Sequence, residues 1–596
     1  MRRLVIATTL LALVVLAGCI GSSSSDSVGF AAGGAQDAND FRHNVNAGYV
    51  PQPASLPAEG LYHDYYFDTG QTQPCNATFC PSYSRAVTKD PISGNREQFL
   101  TVGLNSGIDA NEFERKPLNL VVVVDTSGSM ESPFGSYYYD NGTRKTVEDD
   151  SSKMAAARSA LRTLTTHLTA DDRFGVVAYD DDARRVVDMA RVGDRDMDAV
   201  NRKIGSLRAG GSTNLDAGMT VAEEMLRPYR DADRTERETR VVYLTDAMPN
   251  VGTTDGGTLG DRLAANADAG VYSTFVGVGV DFNARFVDTV NDVEGANHYV
   301  VKSPSEFADR MDEGFAYMVS PLVFDLSVSV NASDYRVERV YGSPDANATT
   351  GDVISVNTLF PSRTSDGKTE GGVVLVELER VGNATPTDDG PGSPAAVTLT
   401  ARYETRNGER HATTRTVAFA DREAPYYEST GVRKAVLLAE YATLMQNWMA
   451  YERATAGNGT VDVAADDPIE GRTLGEWEQR SVALRASPPY RDRIRAFREH
   501  FANEANALDD DALNRELAIM DAILAAAENA TDTQATFDAR PLRTAVNPDT
   551  RTTANPDTRT ASNPDTTSIS TVPSFGLDVE SVQARAREAP RRTPAG

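Results

Sequence analysis

Three loops of this sequence carry acids and hydroxyl groups next to predicted strands and helices. The run VVVVDTSGSM ends a β-branched segment on Asp125, and Ser127 and Ser129 follow at alternating positions. A second apolar run, RVVYLTD, ends on Asp246, and Thr213 in GGSTNLDAGM stands just before a predicted helix. Hard oxygen ligands with few charges suit Mg²⁺ or Mn²⁺, which keep water molecules in their octahedral shells. These residues therefore predict a divalent-cation site with an open coordination position for a carboxylate of a protein partner.

The elements around these loops indicate a sheet covered by helices on both faces. From Leu118 to about Met318, short apolar runs alternate with amphipathic segments. Near-continuous apolar strands separated by helices are typical of a doubly wound, mainly parallel α/β sheet, which binds ligands at the carboxyl ends of its strands. The run Ser303-Pro304-Ser305-Glu306 predicts the start of the last helix, because it forms a capping box with proline at the first helical position. The predicted strands are LNLVVVVD, RFGVVAYD, RRVVDMA, TRVVYLTD, VYSTFVGVGV and HYVVKS.

The five polar positions resemble the metal-ion-dependent adhesion site of von Willebrand factor A domains. The resemblance covers roughly residues 116 to 319, and every position of the motif is filled. It implies that the two serines and the threonine contact the metal directly and that the two acids act at least partly through water. One departure is Ala247, which stands where the family usually has glycine, and this change should leave the ligands intact.

The composition of the chain changes several times outside this region. Alternating runs beyond Pro321 predict a β-sandwich-like domain, and apolar stripes after about Glu428 predict a helical region. Repeats of NPDT after Asn529 have no apolar face and predict a disordered spacer. The domain order and the segment RKAVLLAEYATLMQNW resemble surface proteins related to the YfbK-type group. The predicted divisions are a signal peptide at 1–18, a lipid-anchored flexible lead-in at 19–83, a β-containing lead-in at 84–115, the A domain at 116–320, a β-rich domain at 321–423, a helical region at 424–530 and a disordered tail at 531–596.

The N-terminus and the cysteines predict export. Two arginines precede an apolar run that is too short to span a bilayer, and Leu16-Ala17-Gly18-Cys19 resembles the lipobox of lipoproteins. The resemblance implies a lipid on Cys19 and an anchor on the outer face of the cell membrane, whereas the alternative is an ordinary signal peptide with a stray cysteine. Cys75 and Cys80 predict a small disulfide outside the cytosol, because no other cysteine and no histidine lies nearby to complete a four-ligand metal site.

Charge and composition restrict the kinds of partner. A formal net charge of −27 argues against nucleic acid, because a polyanion would be repelled. Only about eight of the 59 basic residues are lysine, and this acidic, lysine-poor composition resembles that of proteins from salt-loving archaea.

About twenty residues, far more than a minimal connection needs, separate Met130 from the first helix. Phe134, Tyr137, Tyr138 and Tyr139 give this loop the aromatic chemistry that is enriched at binding hot spots, so it is predicted to select the partner. The alternative is a solvated insertion whose aromatic side chains fold back on the edge of the sheet.

Catalytic motifs are missing from the sequence. It contains no HExxH, no GxSxG and no Walker loop, and its six histidines are not paired at ligand spacing. His167 is predicted to be structural, and the prediction is a binding protein with no catalytic residues. A metal-dependent hydrolase, with Asp140 or Asp149 as its base, and a scaffold with an idle metal site are the alternatives. A further alternative is an assembly role in which the A domain recruits a partner complex.

Overall fold

The chain is described here by a computed structural model. Its described residues are 27–110, 112–134, 151–229, 236–246, 256–279, 289–290, 293–301, 303–331, 335–343, 352–381, 396–418, 422–458 and 482–528. The signal peptide, Cys19, the three loop tyrosines, Asp140, Asp149, Ala247 and the NPDT repeats lie outside them.

The first described residues are folded, and their strands join two different sheets. Strand β1 (Ser27–Ala32) pairs with β5 (Arg96–Asp109), and β2 (Gly34–Ala35) joins a different, mainly parallel sheet. The prediction of a flexible lead-in at 19–83 is therefore wrong from residue 27 onward. The elements here are β1 (Ser27–Ala32), β2 (Gly34–Ala35), α1 (Asn39–Ala47), α2 (Ala58–His63), β3 (Tyr66–Phe67), β4 (Cys80–Lys89) and β5 (Arg96–Asp109).

A mainly parallel sheet with helices on both faces follows, as predicted, but it has seven strands because β2 joins the six predicted ones. Its order is β2-β11-β10-β9-β6-β7-β8, and the pairings are parallel except for that of β7 with β8. Its elements are β6 (Leu118–Asp125), α3 (Lys153–Thr166), β7 (Arg173–Tyr179), β8 (Ala183–Arg191), α4 (Met197–Gly205), α5 (Leu215–Leu226), β9 (Glu238–Thr245), α6 (Gly256–Asp268), β10 (Val271–Val278), β11 (Asn297–Val301), α7 (Pro304–Met311) and α8 (Phe315–Met318). The predicted helix start is confirmed, because the Ser303 side chain accepts a hydrogen bond from the Glu306 amide and Pro304 is the first residue of α7.

Strand β6 shows why the apolar run has to be a central strand. All eight of its residues are buried. Leu120, Val122 and Val124 contribute to one hydrophobic core, while Val121 and Val123 contribute to the core on the opposite face. Successive side chains of a strand point to opposite faces, so only a strand covered on both sides can bury such a run.

The β-rich region forms a ten-stranded antiparallel sheet together with strands that precede β6 in the chain. Strand β1 lies between β5 and β14 (Asp352–Ser362), and β4 pairs with both β5 and β20 (Tyr426–Tyr427). The sheet of the β-rich domain predicted at 321–423 therefore also includes β1, β4, β5 and β20, which lie outside those bounds. Its later elements are β12 (Val323–Asn331), β13 (Tyr335–Tyr341), β14 (Asp352–Ser362), β15 (Thr364–Ser365), β16 (Lys368–Glu370), β17 (Val373–Arg380), β18 (Ala396–Thr405), β19 (Arg410–Ala418) and β20 (Tyr426–Tyr427). A small separate sheet contains β15, β16 and β3.

Three helices close the described chain, namely α9 (Thr430–Asn458), α10 (Pro488–Leu508) and α11 (Asn514–Glu528). Leu437, Tyr441, Leu444 and Trp448 are all buried, so the predicted apolar stripe of α9 is a core stripe. This core also includes α1 and α2 residues from the N-terminal segment. Among the helices that the structure describes, none combines the length and apolar content that a membrane crossing needs.

Cys75 and Cys80 form a disulfide just before and at the start of β4. The Asn105 side chain donates a hydrogen bond to the Cys80 carbonyl at 3.1 Å, which ties this short loop to β5.

Candidate metal centre

Asp125 is the last residue of β6, and its carboxylate is held from both sides. One oxygen accepts the backbone N–H of Ser127 at 2.8 Å. The other accepts the Tyr179 hydroxyl at 2.9 Å and the Thr245 hydroxyl at 2.7 Å. Tyr179 and Thr245 end the two strands that flank β6, so the parallel sheet itself orients the acid.

The two serines follow Asp125 on a turn that begins a short 3-10 helix, Gly128–Glu131. Both are buried, and their side-chain oxygens lie 3.0 Å apart. That spacing is within the range for two oxygens that share one cation or one hydrogen bond.

Backbone hydrogen bonds bring Thr213 to the same edge. The Gly128 amide donates to the Gly211 carbonyl at 3.0 Å, and the Gly210 amide donates to the Thr126 carbonyl at 2.8 Å. Thr213 is buried, and Asn214 after it caps α5 by accepting a hydrogen bond from the Ala217 amide. The threonine loop and the serine loop are therefore joined directly.

Asp246 completes the set as the residue after β9. It is fully buried, and one carboxylate oxygen lies 3.3 Å from the ammonium of Lys153, which is also fully buried. The other oxygen has no hydrogen-bond partner among the described residues. A buried carboxylate oxygen without a partner is costly, and a cation or its water shell would supply one.

The electrostatics of the two acids also favour a cation. Burial, followed by the charge of nearby Asp246, raises the pKa of Asp125 to about 6. A divalent ion beside two buried carboxylates would favour their charged forms. Within the described chain no cluster of three His, Cys, Asp or Glu side chains could hold a metal. A cation held here would need hydroxyl ligands in addition to the two acids. The five residues fit an oxygen-ligated divalent cation.

The long loop after the serines requires one correction. Phe134 was predicted to contact a partner, but it is only 2% exposed and belongs to the core under the sheet. The physical reason is that burial of the apolar ring is favourable. For Phe134 the structure therefore agrees with the alternative in which the aromatic side chains of the loop fold back on the sheet. The loop is closed at its base by a bridge between Pro133 and Ser152 and by the Lys153 amide, which donates to the Ser132 carbonyl at 3.0 Å.

His167 lies far from these acids. It follows the C-terminal end of α3, whereas Lys153 is the first residue of that helix, so about 20 Å of helix separates them. Its ring lies 2.6 Å from a carboxylate oxygen of Asp312.

Sequence reasoning missed three residues of the site: Tyr179, Thr245 and Lys153. Tyr179 and Thr245 carried a signal, since each is the second-to-last residue of a predicted strand and its hydroxyl lies at the carboxyl edge of the sheet. Lys153 carried only a weak signal, because a lysine in the first turn of a helix usually reaches solvent.

Comparisons with known proteins match part of this sequence to a domain family. A model of the von Willebrand factor type A domain matches residues 120–248. The uncharacterized protein YfbK of Escherichia coli (strain K12) is 23% identical over 297 residues, which are 49% of this chain and 47% of YfbK. The chain thus spans about half the length of this curated relative.

Two solved structures are similar in fold to parts of this chain. A von Willebrand factor type A protein from Catenulispora acidiphila is 16% identical with a TM-score of 0.38, covering 65% of this chain and 84% of that one. Proximal thread matrix protein 1 from the mussel byssus, with a zinc-occupied MIDAS motif, is 15% identical with a TM-score of 0.25, covering 35% of this chain and 50% of that one. Because the family model matches residues 120–248, the chain contains a von Willebrand factor type A domain that includes these residues.

Proposed function

We propose that this A domain binds one Mg²⁺ or Mn²⁺ ion and uses it to hold a protein partner through a carboxylate of that partner. The observation that carries the proposal is the convergence of three loops on one buried edge of the sheet. Two serine hydroxyls lie 3.0 Å apart there, and a buried oxygen of Asp246 has no described partner.

The residues have different tasks in this proposal. Ser127, Ser129 and Thr213 would ligate the ion through hydroxyl oxygens, while Asp125 and Asp246 supply negative charge and hold its water molecules. The bound ion would supply an electrophilic position for an anionic group. Among the described residues, the groups that contact the two acids include the hydroxyls of Tyr179 and Thr245, the Ser127 amide and the Lys153 ammonium, which suit holding rather than proton abstraction.

The Asp125→Asn variant tests this proposal. We expect calorimetric titration of the full chain to give one Mg²⁺ or Mn²⁺ per wild-type molecule and an affinity at least about tenfold lower for the variant, because a charged water-holding group is lost. Asp188→Asn on the exposed part of β8 is the matched control and should bind like wild type. Equal affinities for wild type and Asp125→Asn would contradict the proposal.

We also propose that the domain works on the outer face of a cell membrane, held by a lipid on Cys19. The support is the lipobox-like segment Leu16 to Cys19. Cys19→Ser should release the protein to the medium or leave an uncleaved precursor in the membrane. Unchanged processing and unchanged fractionation would rule out the lipid.

A further inference from the structure

Lys153 is a buried lysine in contact with the candidate metal centre. It is the first residue of α3, after the N-cap Ser152, and its side chain is 0% exposed. Its ammonium lies 3.3 Å from a carboxylate oxygen of Asp246. A fully buried lysine is rare unless it has a charged partner. Asp246 is that partner here, so the position of the lysine is tied to the acid of the candidate site.

Gly279, the residue after β10, makes room for this side chain. It has a φ of +92°, and its amide donates to the Val301 carbonyl at 2.9 Å. A Cβ at this position would lie 2.5 Å from Cε and 3.2 Å from Nζ of Lys153. The end of the lysine side chain therefore packs against the backbone of Gly279, and its ammonium lies beside Asp246.

The charges of the three buried groups determine what the site can hold. Two carboxylates and one ammonium sum to one negative charge, and a divalent ion would bring the sum to one positive charge. A metal next to Asp246 would feel the repulsion of the ammonium over a short, poorly solvated distance, where Coulomb interactions are strong. The remaining positive charge would favour an anionic group in the open position.

We propose that Lys153 is a built-in counter-cation that sets the metal affinity of this centre. It stabilises Asp246 when the metal is absent and weakens the hold on the metal when it is present. It also leaves the loaded centre with a net positive charge that attracts a carboxylate. This inference rests on the proposed function and adds regulation of the same site.

Titration of Lys153→Met with Mg²⁺ and with Mn²⁺ tests the inference on the full chain. The variant removes the charge and keeps an unbranched side chain that is one atom shorter. We expect it to bind both ions about tenfold or more tightly than wild type. Its melting temperature in EDTA should be lower than that of wild type, because Asp246 loses its counter-charge, and saturating metal should narrow the difference. Lys203→Met, an exposed lysine on α4, is the matched control and should change neither quantity.

The outcomes separate the two proposals. A purely structural lysine would lower the melting temperature equally with and without metal and leave both affinities unchanged, and that result would overturn this inference alone. Weaker binding by Lys153→Met would also overturn it. Absence of binding by wild type and variant alike would overturn the proposed function and this inference with it. If Lys153→Met does not fold, Lys153→Gln replaces it, because an amide can still donate to Asp246, and the same increase in affinity is expected.

Discussion

Deletion of residues 27–35 is expected to unfold the chain rather than shorten a tether. This segment contains β1 and β2, and it contributes to two sheets at once. Residues Gly29 to Ala32 pair with Leu359 to Ser362 of β14, and Gly34 and Ala35 pair with β11. Removal would leave unpaired backbone groups on β5, β14 and β11, which are costly to bury and prone to aggregation when exposed.

The side chains of the segment add to this cost. Phe30 is fully buried, and its ring lies 6.2 Å from that of Phe79. Truncation of a buried phenylalanine alone costs about 3–5 kcal/mol. A Cβ at Gly29 would collide with the side chain of Thr369, so the strand fits its place closely. Deletion of residues 27–35 should therefore remove most of the free energy of unfolding of a domain, which is about 5–15 kcal/mol.

Urea unfolding followed by circular dichroism measures this effect. The deleted chain should be insoluble or show no cooperative transition, whereas Phe30→Ala should fold with a lower urea midpoint. Deletion of residues 547–596 is the control for shortening the chain, and we expect it to leave the midpoint unchanged. A normal midpoint after deletion of 27–35 would show that the segment is dispensable.

Replacement of Glu516 by glutamine is expected to destabilise the helical region by about 3–5 kcal/mol, because it removes one partner of a buried ion pair. Glu516 is fully buried on α11, and one of its oxygens accepts hydrogen bonds from Arg42 at 2.9 and 2.5 Å and from the Tyr65 hydroxyl at 2.7 Å. Arg42 also contacts Asp64 at 2.5 Å. The variant leaves Arg42 buried with one acid where it had two.

Chemical denaturation of Glu516→Gln and Glu499→Gln compares a buried with an exposed glutamate. Glu499 lies on the solvent side of α10, and its replacement should shift the urea midpoint very little. The Glu516 variant should unfold at a clearly lower urea concentration. Equal midpoints for the two variants would mean that the network contributes no net stability.

Local patterns predicted the elements around the candidate metal centre well. Strand β6 has the bounds expected from LNLVVVVD, and α7 starts at the predicted capping box. Period, capping and β-branching act within a few residues, so these signals are readable in one sequence. The placement of the two serines after Asp125 followed from the same strand.

Long-range pairing was not predictable in the same way. The segment SVGFAAGGAQ is short and rich in glycine and alanine, and its strands are stabilised by partners hundreds of residues away in the chain. A strand of this kind has no period of its own, because its burial depends on the sheet that receives it. The prediction for Phe134 was wrong and Lys153 was missed for a related reason. Only the fold shows that an aromatic side chain in a loop and a lysine at the start of a helix are buried.

The most direct measurement of the central claim is anomalous diffraction from crystals of the full chain grown with Mn²⁺. The account predicts one strong anomalous peak at the carboxyl edge of the sheet, in contact with the side-chain oxygens of Ser127, Ser129 and Thr213. The peak should disappear in Asp125→Asn crystals grown at a Mn²⁺ concentration that just saturates the wild type. A peak elsewhere, or no peak at this edge in wild-type crystals, would contradict the account.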